Sequence, residues 1–240
     1  MPLQAVESQR LYRQIAGQLR DLIAAGEFAP GSRLPADREL AAQLGVSRPS
    51  VREALIALEV EGWVEVRIGS GIYALGAAKA AAPAPSANGG AGEWGPLELM
   101  RARELVEGEV AALAARHGRR PQVAAMAAAL QRMHEDARAG RVPREGDEAF
   151  HAAIADACGN EVLRDTVTGY WRQARSGAVF TRMTDWFETP ASWNAAIAEH
   201  EAVLGAIRDH DPSAAREAMQ RHLKRAYTRY SASWRQAKAA

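Results

Sequence analysis

Apolar side chains fall at Leu11, Ile15, Leu19, Leu22 and Ile23, the three-to-four spacing of one helix face, and Gly26 stands where a helix favours a left-handed stop. A shorter run, RELAAQLG, puts Leu40, Ala41 and Leu44 on one side and closes at Gly45. Val46 and a helix-capping Ser47 lead into a third helix with a buried stripe of Val51, Leu55 and Leu58 and a stop at Gly62. After it the period changes from helical to alternating. WVEV and IYAL flank Ile68-Gly69-Ser70-Gly71, the composition of a β-hairpin with a tight tip.

Beyond Pro96 the pattern is helical almost throughout. ELMRARELVEGEVAALAARHG, PQVAAMAAALQRMHEDARAG, EGDEAFHAAIADACGN, EVLRDTVTGYWRQARSGAVF, SWNAAIAEHEAVLGAIRDH and SAAREAMQRHLKRAYTRYSASWRQA each carry an apolar stripe, bounded by Gly, Pro, Asn or Asp, and no strand signal appears. Six helices in an antiparallel bundle are predicted. Between the two regions GAAKAAAPAPSANGGAGEWGP replaces core-forming side chains with Ala, Pro, Gly and Ser, the composition of a linker. The expected organisation is mainly α: a head at 1–76, a linker at 77–96 and an all-helical unit at 97–240.

The 240 residues suffice for two cores, and 30 Lys+Arg against 29 Asp+Glu leave a formal charge of +1, so a nucleic-acid surface has to come from local placement of charge. The single cysteine, Cys158, sits beside Ala155 and Ala157 with nothing near it to lower its pKa and reads as a small buried side chain. No signal-like start and no apolar run of about 18 residues is present, so a soluble cytoplasmic protein without membrane contact is expected.

Two helices joined by a short turn at Gly45, followed by a hairpin, make a winged helix-turn-helix. On the third helix Arg48 and Arg52 lie four apart, on one face and opposite Val51 and Leu55. From such a ridge a guanidinium fork fits the O6 and N7 acceptors of guanine, while Ser47 and Ser50 can grip phosphates. Arg38, which starts the preceding helix, is a third candidate contact, and the wing tip at Gly69, Ser70 and Gly71 suits a close approach to the minor groove.

The run from Leu11 to Leu75 resembles the winged helix-turn-helix domain of the GntR family of bacterial transcription regulators. The resemblance is carried by Pro30-Gly31, Leu34-Pro35, Arg38-Glu39-Leu40-Ala41, Gly45-Val46-Ser47-Arg48, Val51-Arg52-Glu53-Ala54-Leu55, Leu58-Glu59, Gly62 and the Gly-x-Gly wing. It implies a dimer that reads a short palindrome in double-stranded operator DNA through the residues matching Arg38, Arg48, Arg52 and Gly69. Pro49-Ser50 stands where many members carry Thr-Pro or similar.

Of six histidines, three draw attention. Asp147 and His151 are four apart on one helix, and His200 and His222 fall beside the apolar stripes of two later ones. If the bundle brings those helices together, the four form a site for Zn²⁺, Ni²⁺ or Mn²⁺ with positions left for water or a carboxylate. His117, His134 and His210, near helix ends or in polar runs, read as ordinary side chains. Residues 97–240 also resemble the FCD ligand-binding domain of the FadR-like branch, through Arg103-x-x-x-Glu107, Asp147-x-x-x-His151, Gly159-Asn160, Glu199-His200 and His222-Leu223. In its metal-containing members the equivalents of Asp147, His151, His200 and His222 bind the ion. A small carboxylate effector sits above it, with Arg103 placed to pair with the carboxylate.

Tyr170, Trp171, Arg175, Trp186 and Trp193 crowd the same region, mostly as core or dimer contacts, and indole faces also pack on sugars. The Trp171 to Arg175 spacing is similar to that of hexuronate- and aldonate-responsive members, which adds both to the effector set. The expectation is a homodimeric regulator, a repressor in preference to an activator. Its rivals are a metal-dependent hydrolase, disfavoured by the absence of an HExxH-like pairing, and a regulator whose bundle only dimerises.

Overall fold

The computed structural model describes residues 10–67, 70–76 and 94–231. Gly69 and most of the expected linker lie outside the described residues. The head contains α1 (Leu11–Ala24), α2 (Asp37–Leu44), α3 (Arg48–Val60), β1 (Val64–Arg67) and β2 (Gly71–Ala74). Tyr12, Ile15, Ala16, Leu19 and Ile23 of α1 share a core with Val51, Ala54, Leu55 and Leu58 of α3. Leu11 and Leu22, expected on that stripe, are exposed instead, because they sit at the margin of the buried face. Gly45, at φ 66°, caps α2 in the left-handed conformation that lets α3 leave at a steep angle.

The hairpin pairs Val64 with Ala74, Glu65 with Tyr73, Val66 with Ile72 and Arg67 with Gly71, one residue away from the expected strand limits on each side. Arg33 bridges to Tyr73 at the open edge of the pair. Gly71 has φ 136°, and a Cβ there would lie 2.5 Å from Arg33 Nε, so glycine is dictated by the fold of the wing itself.

The second unit is helical: α4 (Pro96–His117), α5 (Arg120–Arg138), α6 (Arg144–Ala157), α7 (Glu161–Ser176), α8 (Ala178–Phe187), α9 (Pro190–Arg208) and α10 (Pro212–Tyr230). The sequence predicts six; a seventh arises because Gly177 ends α7 and starts α8. Met100, Val110 and Ala114 of α4 meet Met126 and Met133 of α5, Phe150 and Ile154 of α6, Ile207 of α9 and Met219 of α10 in the core. A Cβ on Gly146 would fall 2.6 Å from Met133 Cγ, so a glycine there allows α6 to press against α5. Cys158 is buried, with Sγ 3.3 Å from the Asn160 carbonyl, as a structural side chain would be.

The two units meet through α3. Glu59 accepts hydrogen bonds from Arg182 Nε at 3.1 Å and Trp186 Nε1 at 3.0 Å, both on α8. Glu53 accepts from the Leu97 amide, at the start of α4, at 2.6 Å. Burial pushes the Glu53 carboxyl up to about 7 from its ordinary 4.5, against the lowering effect of the Leu97 N–H. A folded pKa above the unfolded one means that the group's contribution is complete below about pH 4.5 and is lost as pH rises through about 7. Glu53→Gln, whose amide oxygen can still accept from Leu97, should therefore exceed wild type in stability at pH 8 by up to about 3 kcal/mol. That margin should close toward pH 5. Denaturant unfolding at the two pH values checks it, and a gap independent of pH would contradict it.

Candidate functional site

At the head, Ser47 Oγ accepts the Ser50 amide at 3.3 Å and caps α3. Arg38, Ser47, Arg48 and Ser70 are exposed and Ser50 is half-buried, as a surface that meets DNA requires. Ser70 Oγ lies 2.6 Å from Tyr73 Oη, which ties the wing tip to its own strand. Arg67, which sequence reasoning passed over, is an exposed wing cation 4.4 Å from the Tyr73 ring centre and 2.7 Å from Glu65. Its signal was the alternation of WVEVR, which places it outward.

Arg52 departs from expectation. It shares a side with Arg48, since Asp37 Oδ2 is 2.7 Å from Arg52 Nη2 and 3.5 Å from Arg48 Nη2. Yet the Arg52 side chain is 2% exposed against 49% for Arg48, so the expected open ridge is half covered. Its second anchor is the carbonyl of Ser231, at the end of α10, which accepts from Nη1. A guanidinium can be buried there because a carboxylate and a carbonyl replace its water; burial still lowers its pKa, with Asp37 opposing.

In the bundle, Asp147, His151, His200 and His222 bring four ligand atoms within 4.8 Å of one another, from α6, α9 and α10. Asp147 Oδ1 is 2.9 Å from His200 Nε2 and 3.7 Å from His151 Nε2, and the two Nε2 atoms are 3.3 Å apart. An ion with bonds of 2.0–2.2 Å spaces its ligands at roughly 3–3.5 Å, so the set is nearly at bonding size.

Each imidazole is aimed by its other nitrogen. His151 Nδ1 donates to Glu107, His200 Nδ1 to the Ala196 carbonyl at 2.6 Å and His222 Nδ1 to Glu199 at 2.8 Å. Nε2 is thereby left toward the cluster in all three, the arrangement in which outer acceptors orient metal-binding histidines. Burial, followed by repulsion from His200, holds His222 down to about 3, so its ring is neutral at physiological pH. Against burial, hydrogen bonding and charge from His200 keep Asp147 ionised well below the usual carboxylate range, and the Arg103 and His151 charges bring Glu107 to about 2. Three imidazole nitrogens and one carboxylate form a donor set that fits a divalent transition metal.

Next to the cluster is a narrow cavity lined by Arg103, Asp147, His222, Glu188, Ser192, Trp193, Arg229 and Tyr230 among others. Arg103 is already engaged: Nε lies 2.5 Å from Glu107 Oε1 and the guanidinium 4.3 Å from the Trp171 ring centre. It steadies Glu107, and through it His151, while still reaching the cavity wall. Trp171 does not line the cavity; it backs Arg103 and lies 5.3 Å from the His151 ring. Arg175 is also not at the site, because its position on α7 turns it to the surface, where it pairs with Glu148 at 2.9 Å. Arg229, absent from the sequence-based set, lines the cavity half-buried and has no hydrogen-bond or ion-pair partner among the described residues.

Residues 11–74 match the family model described as "Bacterial regulatory proteins, gntR family", and residues 98–225 match that of the FCD domain. The Uxu operon transcriptional regulator of Escherichia coli K12 is 36% identical over 224 residues, 92% of this chain and 86% of that protein. This chain belongs to the GntR family. The Exu regulon transcriptional regulator of the same strain is 34% identical over 92% of this chain and 85% of its own length. The HTH-type transcriptional repressor NanR of Klebsiella aerogenes is 31% identical over 95% and 86%.

As a GntR regulator with an FCD domain, the chain is a DNA-binding transcription factor and not an enzyme, which removes the hydrolase reading. Arg38, Arg48 and Arg52 lie within the GntR match, and the Asp/His cluster within the FCD match. No described helix is long and apolar enough to cross a membrane.

Proposed function

We propose that this GntR regulator is a homodimeric repressor whose FCD bundle binds Zn²⁺, Ni²⁺ or Mn²⁺ through Asp147, His151, His200 and His222. A small organic acid, of the sugar-acid class, binds beside the ion and lowers operator affinity. The reading rests above all on one observation: a pre-aimed Asp/His₃ set adjoins a cavity that carries an arginine with no side-chain hydrogen bond or ion pair among the described residues. Arg229 offers a fork for a carboxylate, with Arg103 beside it. Trp193 gives an indole face to a sugar ring, and Ser192, Glu188 and the Tyr230 hydroxyl offer partners to its hydroxyls. Repression is supported by the likeness to a relative named a repressor. The dimer follows from the need for two heads to read a palindrome, with Arg38, Ser47, Arg48, Ser50, Arg52 and the wing at Gly69 and Ser70 as DNA contacts.

Thermal denaturation of metal-loaded and chelator-treated protein, each with and without glucuronate, tests the reading. A ligand at 100 times its Kd adds about 2.7 kcal/mol to the folded state. Melting should rise with glucuronate, or with an aldonate in its place, only when the ion is present. No shift with any sugar acid, or an equal shift after chelation, would contradict it.

A further inference from the structure

Residues that wall the cavity are continuous with residues that hold the reading helix. Tyr230 Oη donates to Glu188 Oε1 at 2.8 Å, and Glu188 Oε2 takes Arg144 Nε at 3.2 Å, so the end of α10 is clipped to the residue that follows α8. The next residue of the chain, Ser231, holds Arg52 through its carbonyl. From α8 itself, Arg182 and Trp186 converge on Glu59. Residues 52 and 59 of α3 are thus gripped about two turns apart, on its N- and C-terminal halves.

We propose that this closed arrangement is an autoinhibited state: the cavity wall withdraws Arg52 from DNA, and a ligand spanning the ion site and Arg229 holds the wall in that position. The second clause rests on the function proposed above; the first does not. With 2% of its side chain exposed, Arg52 offers nothing to a base edge, so the closed form reads with Arg48 alone on α3. The free space in the cavity is only about 30 Å³, so a sugar acid needs more room. Arg229 can supply it by swinging aside onto the carboxylate, since no hydrogen bond or ion pair of its side chain to a described residue has to break, while the Tyr230–Glu188 clip stays in place. Such a ligand ties the end of α10 to α6 and α9, and the Ser231 carbonyl with it. It need only bind the closed form better than the open one to shift the population.

The test uses the full-length chain carrying Arg182→Ala and Trp186→Phe together, which empties the α8 grip on Glu59 and touches neither the Asp/His cluster nor the cavity. Apparent operator affinity scales with the fraction of open molecules. Without ligand, the variant should therefore bind operator about tenfold or more tightly than wild type, the scale of hydrogen bonds to a charged group. Saturating glucuronate should weaken operator binding by wild type and much less by the variant, at equal metal content and with a ligand-induced melting shift still present in both. Unchanged ligand-free affinity would overturn the autoinhibited state. Raised ligand-free affinity with an undiminished glucuronate response would overturn the link to the cavity. No glucuronate effect on wild-type melting would instead count against the proposed function, leaving the ligand-free comparison to judge the latch.

Discussion

Replacing His200 by alanine is expected to abolish metal binding. His200 is fully buried, its Nδ1 is held by Ala196 and its Nε2 lies between Asp147 and His151, so no other described side chain can move in as a substitute ligand. The effect should be graded by shell. Glu199→Ala leaves His222 in place and removes the carboxylate that aims it and that also accepts from Arg225, which should weaken binding about 10–100-fold. His200→Ala should cost more than that. Metal analysis after dialysis against a weak chelator reads both. Wild type should retain its ion, Glu199→Ala should retain part and His200→Ala none; equal content in all three would remove the cluster as a metal site. Because His200 also packs edge-on to Phe150 at 4.8 Å, the apo forms need a melting comparison to separate lost metal from a lost core contact.

Arg48→Ala should cost about 1–3 kcal/mol of specific operator binding, or roughly ten- to a hundredfold in affinity. The argument is one of access: Arg48 is half exposed, its one ion pair among the described residues is a long one at 3.5 Å to Asp37, and it stands in the first turn of α3 beside Ser47. Binding to scrambled DNA at the same salt should fall far less, because phosphate attraction is shared among many cations. An equal loss on both DNAs would make Arg48 a phosphate contact and not a base reader. Wild-type affinity for operator would remove α3 as the reading helix.

Local regularities made much of this molecule legible. The helical period and the stops at Gly26, Gly45 and Gly62 marked the three helices of the head, since each local signal agreed with the packing that followed. The spacing of Asp147 and His151 correctly put both on one face of α6, and the apolar stripes around His200 and His222 turned those rings inward. Contacts distant in sequence left no such trace. Arg52 was aimed correctly by its spacing from Arg48, but the cover over it comes from Ser231, 179 residues away.

Helix α8 was missed because GAVF continues the apolar character of α7 across Gly177, although Val179, Met183 and Phe187 repeat every four residues and are buried. Glu199 stood in plain view next to His200, yet its role depends on His222, 23 residues later and on another helix. Arg175 looked suitable by its spacing from Trp171, but its long side chain reaches outward to Glu148 at the surface, whereas Arg229 lay in a stretch of ordinary amphipathic helix.

The most direct measurement is a titration of labelled operator DNA with full-length protein at fixed salt, metal-loaded and chelated, in the presence and absence of glucuronate. The account predicts that glucuronate weakens binding at least tenfold when the ion is present and has no effect after chelation. Operator binding that ignores sugar acids in the metal-loaded protein, or responds equally without the ion, would contradict it.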